Sequence, residues 1–251
     1  MARVTNRQLG NVGNLGDVLK HAALVELAAL LARTCERVSF VDTHAFQIHA
    51  PLADRARWVR EVDALVGRHV AYARYAELER AALARDNHYL CSSGLVIDTL
   101  GERRACAVLG EANAASRAEI AAQIATERIA NVLIAEGAAR VDDGMRVPAG
   151  GALLVHVDPF ALSAALWSEI APALDAMCSR SAVAVVVVYR YSRSAAAPWP
   201  IAPASTTGPV ATTRGGPHEV AAYASAEIAG AVLEVCASLG WRDLTVWRER
   251  G

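Results

Sequence analysis

Lysine is almost missing from this chain. Of its 25 basic residues, 24 are arginines and the other is Lys20. The 26 acidic residues leave a formal charge of −1. The overall positive surface by which most nucleic-acid-binding proteins hold phosphates is therefore lacking, and only a local arginine patch could serve that purpose. The five cysteines (35, 91, 106, 178 and 236) contain no CxxC pair and no metal-ligand spacing. That pattern excludes a zinc ribbon and reads as the reduced thiols of a cytoplasmic protein with no metal site. Apolar runs are short. The longest β-branched stretch, 182–188, has the length of a buried strand, well below the roughly 18 residues of a membrane helix. The opening MARVTNRQLGNVGN is polar and glycine-bearing, unlike a secretory leader.

What is present alternates. An amphipathic helix is expected over 17–34 with Asp17 as its N-cap, then a strand over 37–44. Residues 51–86 are rich in Arg and Glu, with apolar residues at helical spacing. They read as a helical insertion whose Trp58, Tyr72 and Tyr75 face the core. Beyond it come a helix (92–101), strand (105–111), helix (114–125), strand (130–137), strand (151–160), helix (163–178) and strand (182–190). A Pro/Gly/Thr-rich loop over 195–217, a helix over 219–238 and a strand over 242–247 complete the reading. Such alternation predicts a parallel sheet covered on both faces, with ligands beyond the C-terminal ends of its strands.

Four successive strands end in an acid: Asp42, Glu111, Glu136 and Asp158. Together they suit a ligand with hydroxyls, amines and positive charge, such as S-adenosylmethionine (SAM). A dinucleotide is a poor match, because the first turn, His-Ala-Phe-Gln-Ile-His, lacks the glycines that admit a pyrophosphate. After strand five, Tyr189-Arg190-Tyr191-Ser192-Arg193 either lines a substrate pocket or begins a solvated loop. Trp199, Arg214 and His218 stand in or beside the 195–217 segment, which reads as a lid or as disorder.

GNVGNLGDVLKH, then VDTHA, LGE, AEG and VDP, resembles in order the 23S rRNA adenine-N6 methyltransferases (the RlmJ family) over most of residues 10–160. The resemblance implies a class I SAM-dependent methyltransferase (Rossmann-like) α/β sheet spanning 1–50 and 87–251, with 51–86 as a helical insertion subdomain. It implies SAM as cofactor, held by Lys20, His21, His44, Ser92, Glu111, Glu136 and Gly137. Lys20 would meet the methionine carboxylate, a task for a compact cation rather than a rigid guanidinium fork. Asp158 would be catalytic, with the Pro159 carbonyl and Phe160 orienting and stacking an amine.

Two departures stand out. The family's DTHAGAG loop reads DTHAFQIHA here, with Phe46 and Ile48 where glycines would let the backbone approach. The adenine-binding DPPY motif reads Asp158-Pro159-Phe160-Ala161. These changes and the missing basic excess favour a SAM-using enzyme acting on an amine-bearing small molecule, by methyl transfer or another SAM reaction. One alternative is a true 23S rRNA adenine-N6 methyltransferase, with Arg55, Arg57, Arg60, Arg68 and Arg74 facing RNA. Another is a non-catalytic SAM-binding or degenerate partner protein.

Overall fold

The computed structural model describes residues 9–138, 147–159, 162–191, 206 and 209–243. Its first long helix, α1 (Leu15–Thr34), is capped by Asn14, whose side chain accepts from the Asp17 amide. Asp17 was the expected cap. It lies instead in the first turn, and its carboxylate accepts from the Gly13 amide at 2.8 Å. Apolar residues surround α1 on nearly every side, which requires a helix to be enclosed. It packs on the sheet and is covered by α3, α4 and α7, whose limits follow.

The strands are β1 (Val38–Asp42), β2 (His49–Ala50), β3 (Tyr89–Leu90), β4 (Arg104–Gly110), β5 (Val132–Ala135), β6 (Ala152–Val157), β7 (Val183–Tyr191), β8 (Pro209–Gly215), β9 (His218–Ala224) and β10 (Arg242–Asp243). The helices after α1 are α2 (Arg55–Val66), α3 (Ala73–Asp86), α4 (Ser92–Leu100), α5 (Ala114–Glu127), α6 (Ala164–Cys178) and α7 (Ala229–Ser238). Eight strands form one sheet in the order β10-β8-β9-β7-β6-β1-β4-β5, and β2 pairs with β3 alone. From β7 through β5 all neighbours are parallel, whereas β9 runs antiparallel to both β7 and β8.

The sheet is thus mixed where a parallel one was expected. The helix expected over 219–238 divides into β9 and the shorter α7. The described end of the 195–217 segment is strand β8, and the last strand is described only as Arg242–Asp243. Gly215-Gly216-Pro217 explains the difference. Gly216 adopts φ +62, the signature of a tight hairpin, and a hairpin can join only antiparallel strands. The alanines of His218–Ala224 mimic a helix, but Val220 and Tyr223 pack as β residues on opposite faces.

Two apolar layers hold the sheet. On one face Val185 and Val187 join α1 and the helices over it. On the other, Val155, Val157, Val186 and Val188 meet Ile170, Leu174 and Met177 of α6. Each such buried side chain contributes about 1.5–3 kcal/mol, against about 0–1 kcal/mol for a surface ion pair. Burial therefore places the helices. Trp58, Val62, Tyr72 and Tyr75 of the 51–86 segment belong to the α1 layer.

The start of α4 presses on the loop after β1. A Cβ on Gly94 would lie 2.4 Å from the Ile48 carbonyl oxygen, a backbone atom that cannot swing aside. Gly94→Ala is expected to cost about 1–3 kcal/mol of stability by overpacking, measured by denaturant titration.

Candidate functional site

Beyond the C-terminal ends of β1, β6 and β7 lies a cavity of about 550 Å³, within the range of pockets that enclose small ligands. The start of α1 supplies Asn14, Asp17, Lys20 and His21. The turn after β1 supplies His44 and Phe46, and Ser92 opens α4. Asp158 follows β6, while Tyr189 and Tyr191 end β7. Asn11, Tyr89, Cys91 and His218 complete most of the remaining wall.

Lys20 stands at the centre. Its ammonium pairs with Asp158 and lies 2.8 Å from Asp17, above the Tyr189 ring at 4.8 Å from its centroid. Burial disfavours the charge, but the Asp158 and Asp17 carboxylates outweigh it and raise the lysine above its usual range. Burial likewise raises Asp17, and Lys20, His21 and the Gly13 amide together more than reverse this. The three histidines are held in the opposite sense. Burial lowers His21 to about 3, and it also lowers His44 and His218. The cavity thus sets the Lys20 ammonium, between Asp17 and Asp158, among histidine rings that burial holds in the neutral form.

The expected residues separate into two places. Lys20, His21, His44, Ser92 and Asp158 share the cavity wall. Glu111, Glu136 and Gly137 are not among its lining residues. They gather instead around Arg117 of α5. Arg117 donates to the Glu111 carbonyl at 2.9 Å and to the Glu136 carboxylate at 3.2 Å, and the Gly137 amide donates to the Glu111 carbonyl at 3.2 Å. Pro159 is buried directly after Asp158, and Phe160 lies outside the described residues.

The acid of β1 is turned inward. Asp42 is wholly buried and accepts from the Ser92 and Ser93 hydroxyls at 2.7 and 3.0 Å. His156 Nδ1 lies 3.3 Å away. Burial raises this carboxyl, but His156 and the two hydroxyls overcome it and hold Asp42 well below the usual carboxylate range. Ser92 therefore spends its proton on Asp42 and can offer a ligand only lone pairs.

The rebuilt loop turns aside. Ile48 is buried in the core, and its amide donates to Gln123 Oε1 of α5 at 2.8 Å. The Gln123 amide returns a bond to the His49 carbonyl at 3.0 Å. Phe46 reaches the cavity wall without closing it.

Several wall residues escaped the sequence reading. Tyr89 and Cys91 offer no motif, and Asp17 was taken for a cap. Tyr189 and Tyr191 line the cavity, while Arg190 between them pairs with Glu219 across β7 and β9 at 2.5 Å. His218 belongs to the wall through its 2.8 Å contact with the Tyr189 hydroxyl. The GGP hairpin signal just before it would have located it. Trp199 and Arg193 lie outside the described residues. Arg214 pairs with Glu219 at 3.4 Å and is not among the lining residues. Among the described residues no cluster suits a metal ion, and no helix is long and apolar enough to cross a membrane.

No protein-family model matches the chain, and no curated protein matches it. Solved structures do. Protein LPL1258 from Legionella pneumophila, family-model DUF519, is 15% identical over 90% of this chain and 93% of its own, with a TM-score of 0.60. An rRNA methylase from Streptococcus thermophilus is 9% identical over 79% of this chain and 94% of its own, with a TM-score of 0.43. TYW2 of M. jannaschii, solved with AdoMet, is 9% identical over 80% of this chain and 74% of its own, with a TM-score of 0.37. Identities this low are a likeness of fold. The mixed sheet with helices on both faces is the fold this chain shares with LPL1258.

Asp42→Asn is expected to cost about 3 kcal/mol, because it breaks a buried charged network. The native carboxyl titrates below its unfolded value of about 3.9. Its stabilising contribution is therefore complete above about pH 5 and is lost as pH falls through the lowered folded value. Denaturant titrations from neutral to acid pH should show a flatter acid limb in the variant.

Proposed function

We propose that this chain is a SAM-dependent transferase whose substrate is an amine-bearing small molecule. One observation carries the reading. The cavity holding Asp158 frames its ligand with two carboxylates and one ammonium, a net charge of −1. SAM, with a sulfonium, an ammonium and a carboxylate, carries +1. Asn14, His21 and His44 add uncharged polar groups to the wall, which suits a ligand rich in hydroxyls and nitrogens. When bound, SAM supplies an electrophilic methyl carbon.

Asp158 acts on the other reactant. Lys20 holds Oδ2, leaving Oδ1 to accept an N–H of the incoming amine and turn the nitrogen lone pair toward the methyl. Bound SAM would supply the methyl to that nitrogen, leaving S-adenosylhomocysteine, and the surplus amine proton would leave to solvent. Lys20 keeps Asp158 oriented, and its ammonium already has two acidic partners before a methionine carboxylate arrives. Glu111, Glu136 and Gly137 belong in this reading to the nucleoside end, reached only if Arg117 yields.

Part of the surface supports a small substrate over RNA. Of the five arginines expected to face RNA, Arg57 and Arg74 have carboxylate partners, while Arg55, Arg60 and Arg68 form no ion pair among the described residues. The 51–86 segment is, in this reading, a helical insertion on the domain formed by 1–50 and 87–251. Within it Arg57 pairs with Glu61 at 4.0 Å and Arg80 with Asp63 at 2.6 Å. Arg85 pairs with Asp86 at 2.5 Å, and Arg74 with Glu26 of α1 at 3.6 Å. Arginines matched by local carboxylates release few counterions on meeting a phosphate backbone. A cytoplasmic setting, where SAM and reduced thiols coexist, completes the proposal.

Transfer of a labelled methyl group from SAM provides the test, with a panel of small amines and, separately, 23S rRNA lacking its adenine-N6 modification. Label on a small amine is the expected result. Label on rRNA adenine alone would establish the adenine-N6 alternative, and an absence of both SAM binding and transfer would favour a non-catalytic partner protein. Asp158→Asn is expected to lower turnover about 10²–10⁴-fold while weakening SAM binding no more than about tenfold.

A further inference from the structure

A chain of buried hydrogen bonds runs from α2 to the cavity. Trp58 Nε1 donates to the Tyr75 hydroxyl at 3.0 Å, Tyr75 and Tyr89 share a bond at 3.0 Å, and Tyr89 meets His21 Nδ1 at 2.9 Å. Trp58, Tyr75 and Tyr89 are 1%, 0% and 0% exposed, so water does not substitute for a missing partner. The last ring, His21, is 3% exposed and lines the cavity. No hydrogen bond to its Nε2 is found among the described residues.

The direction of the chain follows from donor counting. An indole N–H can only donate, so the Tyr75 oxygen accepts from Trp58. Tyr75 then has one proton to give, and Tyr89 is its other partner. With Tyr89 accepting that proton, its own hydroxyl must donate onward to His21 Nδ1. Every buried donor is then met. The reverse order, with His21 Nδ1–H donating to Tyr89 and Tyr89 to Tyr75, leaves the Tyr75 proton with no acceptor. Buried polar groups rarely tolerate that state.

We propose that Trp58, Tyr75 and Tyr89 form a one-way relay that fixes His21 as an Nε2–H donor into the cavity, so that the ligand group facing it must be an acceptor. Tyr89 and Tyr75 are positioning residues acting through His21. A carboxylate or an unprotonated ring nitrogen satisfies Nε2–H. An ammonium, which has no lone pair, does not. Burial keeps the ring uncharged, so the bond selects by donor and acceptor pattern rather than by charge. This pattern also sorts the two ends of the methionine part of SAM. The ammonium end is excluded from His21 and left to the carboxylates around Lys20. The tautomer assignment stands on the free protein alone; its consequence for affinity rests on the SAM reading above.

Long-range ¹H–¹⁵N NMR on the free full-length protein tests it, with the His21 signals assigned by their loss in His21→Gln. The expected spectrum shows Nδ1 as a bare nitrogen accepting a hydrogen bond and Nε2 as a protonated one. In Tyr89→Phe the Nδ1 resonance should move to that of an unbonded nitrogen, and SAM affinity should fall about tenfold, the loss of one buried bond. A protonated Nδ1 in the wild-type protein would overturn the proposal, as would an Nδ1 resonance unmoved in Tyr89→Phe. If the wild-type tautomer is as expected but SAM does not bind, the relay stands and the cofactor reading falls.

Discussion

The ammonium of Lys20 lies buried between the carboxylates of Asp17 and Asp158. It joins the first turn of α1 to the end of β6, two segments remote in sequence and separately held by the apolar layers. Two carboxylates brought this close would repel each other, and one would take up a proton. The lysine removes that conflict and fixes the cavity's charge. Guanidinium would be a poor substitute, because a planar fork needs more room than a buried ammonium facing three neighbours. This is a physical reason for one lysine to persist in a chain that otherwise uses arginine.

Around that triad the wall is polar but uncharged. Burial keeps the histidines neutral, and the tyrosine chain behind His21 fixes where its proton sits. The turn after β1 avoids filling the cavity because Gln123 of α5 draws its backbone outward. Ile48 consequently packs in the core, and of the two bulky residues only Phe46 reaches the wall. Bulk at the two glycine positions therefore changes the route of the loop more than the volume it encloses.

Much of the fold was legible from periodicity. Strands β1, β4, β5, β6 and β7 and the helices between them lie close to where apolar runs placed them, whereas the two-residue strands β2 and β3 are too short to carry such a run. The hairpin of β8 and β9 was not legible, since alanine-rich segments satisfy helix and buried strand equally and only the GGP turn distinguishes them. For the site, a strand-end acid says nothing of its direction. Asp42 and Asp158 end neighbouring strands, yet one turns into a network of hydroxyls and the other into the cavity. That difference depends on Ser92 and Ser93, brought from fifty residues away by α4. Lys20 is unusual in the sequence and central in the structure, but its partners are two acids of the chain itself.

The charge of the cavity decides whether a sulfonium ligand belongs there. Calorimetric titration with SAM and with S-adenosylhomocysteine isolates it, because the two ligands differ by one methyl group and one positive charge. A frame of −1 should bind SAM more tightly by about tenfold, a modest share of a partly screened charge–charge energy. Equal affinity, or tighter binding of S-adenosylhomocysteine, would contradict it.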